Sequence, residues 1–173
     1  PSSTYTQLKA NSFTREGYEF LGWTESSDAI SKQYNDAYSY FSTPKEDITL
    51  YAVWKDILNY TVYYYANYEG APESCVIKKY PNEQEEIKIE NVNFKREGYV
   101  FCGWSTSSTA ETGNNEGSKI NKYSKGYTEL YAVWVDKADS KKITFSKNDG
   151  SANPETVVQY TNPSSTYTQL KAN

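Results

Sequence analysis

An internal repeat constrains this chain more than any other feature. Phe13–Trp23 reads FTREGYEFLGW and Phe94–Trp104 reads FKREGYVFCGW, with eight of eleven positions identical. LYAVW at Leu50–Trp54 returns unchanged at Leu130–Trp134, in the same order and at nearly the same spacing. Two matches in one order at one spacing predict two modules of one fold, here A and B. Pro1–Asn11 also recurs residue for residue as Pro163–Asn173, an offset of 162, twice the module spacing. On this reading residues 1–56 are the closing part of module A and 57–137 a complete module B. Residues 138–173 are a linker and the opening hairpin of the next module A.

Within a module the pattern is mainly that of β structure. Val62–Val76 and Ile143–Val157 each give alternating β-branched or aromatic residues, a polar Asn/Gly turn and a second strand, the signature of a hairpin. Arg-Glu-Gly then predicts a turn and Tyr-x-Phe-x-Gly-Trp a strand. Simple alternation puts Tyr18, Phe20 and Gly22 on one face of that strand and Leu21 and Trp23 on the other. Apolar residues on both faces predict a central strand. Gly22 and Gly103 predict close approach of another element, such as an aromatic ring. The polar stretch before the closing LYAVW strand is long for a loop, and a short helix is expected around Asp28–Tyr34. The fold class expected is thus mainly β, small α+β.

Composition narrows the chemistry. The chain has no histidine, which removes His-based acid–base catalysis, Ser-His-Asp and Cys-His nucleophiles and His metal sites. A net charge of −4 argues against nucleic acid as a partner. No apolar run approaches the roughly 18 residues of a membrane span, so membrane insertion is not expected. A hydrophobic content of 37%, with 18 tyrosines, suits small aromatic-rich modules better than one large core.

The REGYxFxGW segment, the LYAVW strand that follows it in each module and the opening hairpin with its Asn/Gly turn together resemble the Listeria–Bacteroides repeat family, the internalin-type B-repeat. The resemblance covers essentially the whole chain. It implies tandem β-grasp, ubiquitin-like modules in secreted or wall-attached bacterial surface proteins. It also implies a stalk, fibre or adhesin-spacer role, no enzymatic activity and no cofactor.

Several residue groups invite a functional reading. Cys75 and Cys102 both fall in module B, and Cys102 stands where module A has the apolar Leu21. If their strands are adjacent the two form a disulfide, which an oxidising compartment would preserve; otherwise they are independent core thiols. A metal site is not expected of two cysteines without histidine. Tyr63, Tyr64 and Tyr65, with Tyr34, Tyr38 and Tyr40, could form a platform for sugar rings, although tyrosine also simply suits strands. Glu83, Glu85, Glu86, Glu90, Asp28 and Asp36 read as solvated charge rather than a hydrolytic pair. Asn114, Asn115 and Glu116 do not have the spacing of an EF-hand calcium loop. Trp23, Trp54, Trp104 and Trp134, with Phe20, Phe101, Val53 and Val133, recur at matching strand positions and are the expected cores. The expected partners are neighbouring copies of the repeat, meeting head to tail by strand complementation, or a host glycan or protein bound through exposed aromatics.

Overall fold

A computed structural model describes residues 4–165, 169 and 170. The chain divides into two compact units, residues 1–60 and 61–173. The first holds β1 (Tyr5–Thr6), β2 (Tyr18–Thr24), β3 (Phe41–Ser42) and β4 (Tyr51–Asp56). Next comes β5 (Asn59–Tyr65), which begins at the division. The second unit continues with β6 (Cys75–Pro81), β7 (Ile87–Lys88), β8 (Tyr99–Ser105), β9 (Lys119–Ile120), β10 (Tyr127–Asp136), β11 (Lys141–Ser146) and β12 (Thr156–Thr161).

The described residues form strands and turns and no helix. The α component expected of the fold class is therefore absent, including the helix expected around Asp28–Tyr34. Its side chains explain why. Ser26 Oγ donates to the Asp28 carboxylate. Gln33 Oε1 accepts from the Glu25 amide at 2.7 Å, and the Trp23 and Tyr34 backbones exchange hydrogen bonds at 2.8 and 3.0 Å. Short polar side chains that bond their neighbours' backbone offer the chain an alternative to the helix.

The repeated REGY segment is a tight turn in both modules. Tyr18 and Tyr99 amides donate to the Arg15 and Arg96 carbonyls, and Gly17 and Gly98 both hold φ +76°. A glycine at the third position of such a turn takes a positive φ without steric cost. The Arg15 guanidinium lies 3.6 Å from the Tyr18 ring centroid, and Arg96 lies 3.6 Å from that of Tyr99.

The strand after the turn does not alternate simply. Phe20 faces Trp54 across the antiparallel β2–β4 pair, but Gly22 faces Val53, so β2 carries one extra residue. In β8 the same shift falls between Phe101, opposite Trp134, and Trp104, opposite Ala132. A bulge resets the side-chain period. Phe20 and Trp23 therefore share a face, in contrast to the alternation expected from sequence, with ring centroids 5.1 Å apart; Phe101 and Trp104 are 5.2 Å apart. Gly22 and Gly103 sit in these bulges at φ +147° and +108°. What approaches them is backbone, not an aromatic ring. A Cβ on Gly22 would stand 2.3 Å from the Tyr34 carbonyl oxygen, and one on Gly103 2.7 Å from the Gly113 carbonyl carbon.

Module B builds a four-stranded sheet in the order β6-β5-β10-β8. The central pair β5 and β10 runs parallel, with Tyr64 opposite Leu130, and β8 joins antiparallel. The Tyr-x-Phe-x-Gly-Trp strand β8 is thus at an edge, not central as its apolar faces suggested; the bulge gathers its large aromatics on one side. Thr128, Leu130 and Ala132 of β10 point inward and are buried, together with Val62, Tyr64 and Trp104.

Module A holds a smaller set. β2 and β4 form a two-stranded sheet, and β1 pairs with β3 as β7 pairs with β9 in module B. Among its described residues the buried apolar side chains are Phe41 and Val53. The hairpin β11–β12 forms a further two-stranded sheet in the second unit, with β12 lying against β8.

Candidate functional site

Alternation along β5 and β10 sends Tyr63, Tyr65, Tyr127 and Tyr131 to the face opposite the core. All four are half-buried and form a continuous aromatic plate. Tyr65 stacks on Tyr131 at 5.1 Å and 16° and on Tyr63 at 6.3 Å and 11°; Tyr127 meets Tyr63 edge-on at 5.7 Å. Lys125 Nζ stands 4.0 Å from the Tyr127 ring centroid and 3.4 Å from a Glu129 carboxylate oxygen. Burial pushes the Tyr63, Tyr65 and Tyr131 hydroxyls upward from their ordinary range, with Glu129 adding to the effect. Its module A counterparts are Thr144, Ser146, Asp47 and Tyr51, so the plate belongs to module B.

Of the tyrosines expected in a sugar platform, Tyr63 and Tyr65 lie in this plate, but Tyr64 does not. It is fully buried, 5.0 Å from Trp104, and its hydroxyl oxygen accepts from the Glu90 amide at 3.0 Å. Tyr34, Tyr38 and Tyr40 form a separate chain of ring contacts within the first unit, joined by Phe41 and Tyr5. Tyr127 and Tyr131 join the plate because β10 lies beside β5. The signal available was period-2 spacing within two segments far apart in the chain.

Cys75 and Cys102 are both free thiols. The expected disulfide fails for a topological reason: β6 and β8 are the two edges of the sheet, with β5 and β10 between them. Three strand intervals span roughly 14 Å, twice the reach of a disulfide between Cα atoms. Burial pushes the Cys102 thiol up to about 11 and raises that of Cys75 as well. Alkylation without reductant should therefore add two labels by intact mass. Cys102 should react about one to two orders of magnitude more slowly than a free thiol. An unlabelled species two hydrogens lighter would contradict this.

Trp104 is buried, Trp23, Trp54, Trp134 and Phe20 are half-buried, and Phe101 is exposed at 36%. Val53 and Val133 are buried. Trp134 Nε1 donates to the Ala66 carbonyl at 2.6 Å, tying β10 to the turn of the opening hairpin. The Trp23 indole N–H is buried without a hydrogen-bond partner among the described residues.

The acidic residues are dispersed. Glu86 pairs with Lys88 at 3.3 Å, and Glu90 accepts from the Tyr80 hydroxyl and pairs with Lys78 at 3.2 Å. Among the described residues no three His, Cys, Asp or Glu side chains gather to hold a metal. The Tyr80 hydrogen bond, and then Lys78, hold the Glu90 carboxyl below its ordinary range. Such a group adds stability above its unfolded value near 4.5, and that stability is lost as pH falls through the lower folded value. Glu90 is partly exposed and screened, so Glu90→Gln should cost no more than about 1 kcal/mol at neutral pH. The difference should vanish in acid; denaturant midpoints of both proteins across that range measure it.

Asn115 is engaged with the segment that follows β12. Its amide donates to Gln169 Oε1 and its side chain to the Gln169 carbonyl, both at 2.8 Å, while Gln159 Nε2 donates to the same carbonyl at 2.6 Å. Between β8 and β12 lies a groove of about 520 Å³, lined by Phe94, Phe101, Trp104, Gln159 and Tyr160 among others.

The chain is 25% identical over 150 residues to a protein of Evansella cellulosilytica provisionally named a Gly-rich membrane protein, covering 85% of this chain and 17% of that protein. A second protein of that organism, provisionally named a membrane protein, is 27% identical over 122 residues, covering 70% of this chain and 18% of the relative. The chain thus spans less than a fifth of either relative. Among the described residues no helix is long and apolar enough to cross a membrane. No solved structure matches the chain. The Listeria–Bacteroides repeat domain matches residues 2–53 and 60–133, one segment in each module and together well over half of the sequence. The repeated REGY turn, its bulged aromatic strand and the LYAVW strand paired to it are accordingly those of the Listeria–Bacteroides repeat family, to which this chain belongs.

Proposed function

We propose that this chain is a non-enzymatic tandem-repeat segment of a bacterial cell-surface or secreted protein, serving as a stalk or spacer. The observation that carries the reading is the recurrence of one structural unit, turn, bulge and closing strand, in two modules whose sequence begins again at Pro163. Membership of the repeat family and relatives named as membrane proteins support the surface location. Both modules carry net negative charge, which resists collapse of one onto another. The order β6-β5-β10-β8, with its parallel central pair, supports a β-grasp scaffold in which residues 82–98 occupy the place of the usual helix. Small-angle scattering of chains carrying one, two and three periods tests the spacer role. The longest dimension should rise in proportion to the number of periods; a compact particle at every length would overturn it.

The tyrosine plate favours a second reading, a module that binds a glycan or protein through its aromatics. A flat stacked surface flanked by Lys125 and Glu129 suits the apolar face of a sugar ring. A glycan array separates the readings: binding that is abolished by Tyr65→Ala and Tyr131→Ala favours adhesion, and an empty array favours the spacer.

A further inference from the structure

We propose that module B carries a two-part site for an uncharged saccharide. The tyrosine plate takes one sugar ring, and the Lys125–Glu129 pair, in an adjoining cleft, reads the hydroxyls of the next. The inference rests on the aromatic-binding reading above and names the class of ligand and the residues that select it.

The cleft exists because β8 is shorter than β10. β5 pairs with Tyr127–Tyr131 of β10, but β8 pairs only with Tyr131–Asp136. Beside the first residues of β10, where β8 has ended, lies a cleft of about 370 Å³. Thr106, Tyr123, Ser124, Lys125, Thr128 and Glu129 line it. The Thr128 hydroxyl donates to the Asn121 carbonyl at 3.2 Å. Thr106, Tyr123 and Ser124 bring further hydroxyls from exposed positions.

Lys125 and Glu129 join this cleft to the plate. Glu129 stands on β10 between Tyr127 and Tyr131, on the same face, and opposite Tyr63 of β5. Its Oε2 lies 3.4 Å from Lys125 Nζ, and its Oε1 accepts from the Tyr131 hydroxyl at 3.4 Å. Both contacts are long beside the roughly 2.7–2.9 Å of a tight charge-assisted bond. A carboxylate accepts about four hydrogen bonds and an ammonium donates three, so the pair has capacity to spare. Both side chains are reachable, Lys125 being 44% and Glu129 27% exposed. A sugar hydroxyl donates and accepts at once, so it bridges the two. A charged saccharide can satisfy one member of the pair only by standing against the other, and like charges in contact repel. Tyr123, Ser124 and Glu129 correspond to Thr43, Pro44 and Thr49 of module A, so the period carries one such site.

Titration calorimetry of the full chain tests the site with hexasaccharides of known charge. The neutral probes are cellohexaose, mannohexaose and N-acetylated chitohexaose; the charged ones are deacetylated chitohexaose and hexagalacturonate. A neutral probe should bind at least about tenfold tighter than either charged one. Glu129→Gln should weaken that binding about tenfold, since a hydroxyl loses its carboxylate acceptor, and should narrow the discrimination against hexagalacturonate. If Glu129→Gln disturbs the fold by circular dichroism, Thr106→Trp fills the cleft from an exposed position and should weaken the same probe. Absence of binding by every neutral probe, or tighter binding of a charged one, would overturn the proposal. So would neutral binding that a folded Glu129→Gln or, in its place, Thr106→Trp leaves unchanged. In that last case binding that is still abolished by Tyr65→Ala would leave the aromatic reading standing, so the two fail separately.

Discussion

Replacing Trp104 by alanine is expected to cost about 3–5 kcal/mol, whereas the same change at Trp23 should cost distinctly less. The two tryptophans occupy one position of the repeat and follow the same bulge. Trp104 is 2% exposed and touches Tyr64, Phe94 and Phe101, with centroids 5.0, 5.9 and 5.2 Å away. Removing it opens a cavity that rigid strands on both sides cannot close. Trp23 keeps the contacts to Phe13 and Phe20 at 6.2 and 5.1 Å but has no counterpart of Tyr64 above it in the described chain. Water can occupy part of its space, so less transfer free energy is lost. Urea denaturation of the two variants, followed by fluorescence of the remaining tryptophans, measures both costs. Equal losses would contradict the asymmetry.

Gly103→Ala is the second large effect, expected to destabilise by about 2–5 kcal/mol through strain and overpacking together. At φ +108° a side chain is strained in itself. Its Cβ would also press on the Gly113 backbone, which cannot rotate away as a flexible side chain could. The approach is held from both sides: the Trp104 and Asn114 backbones exchange hydrogen bonds at 2.9 and 2.7 Å. Relief would require breaking that bridge and the bulge that places Phe101 beside Trp104. By contrast, Gly70→Ala meets nothing within 4 Å and carries strain at φ +78° alone, so its cost should stay near the lower end, about 1 kcal/mol. Thermal unfolding of the two variants gives the comparison, and a Gly103→Ala protein as stable as Gly70→Ala would refute the role assigned to the close approach.

Much of the architecture was written in the order of residue types. Two copies of REGY and LYAVW made the recurrence of one turn, bulge and closing strand legible, because each short segment carries its own physical instruction. The glycine permits the turn, the arginine packs over the following tyrosine, and the β-branched and aromatic residues favour extended backbone. Family membership was legible for the same reason. The hairpin at residues 143–161 was legible from alternation around its Asn/Gly turn, since a hairpin is local.

Tertiary structure decided what depends on which strands lie side by side. Cys75 and Cys102 read equally well as a disulfide or as two thiols until the sheet order placed two strands between them. Phe20 and Trp23 should face opposite ways by simple alternation; one extra residue in the bulge, stabilised by contacts from the loop that follows, turned them to the same side. The tyrosine plate arises only when a strand at 59–65 meets one at 127–136 in parallel, and no local pattern specifies that meeting. The same holds for burial. Trp23 and Trp104 are the same residue in the same motif, and their different exposure comes from the strands present beside them rather than from anything in the motif itself.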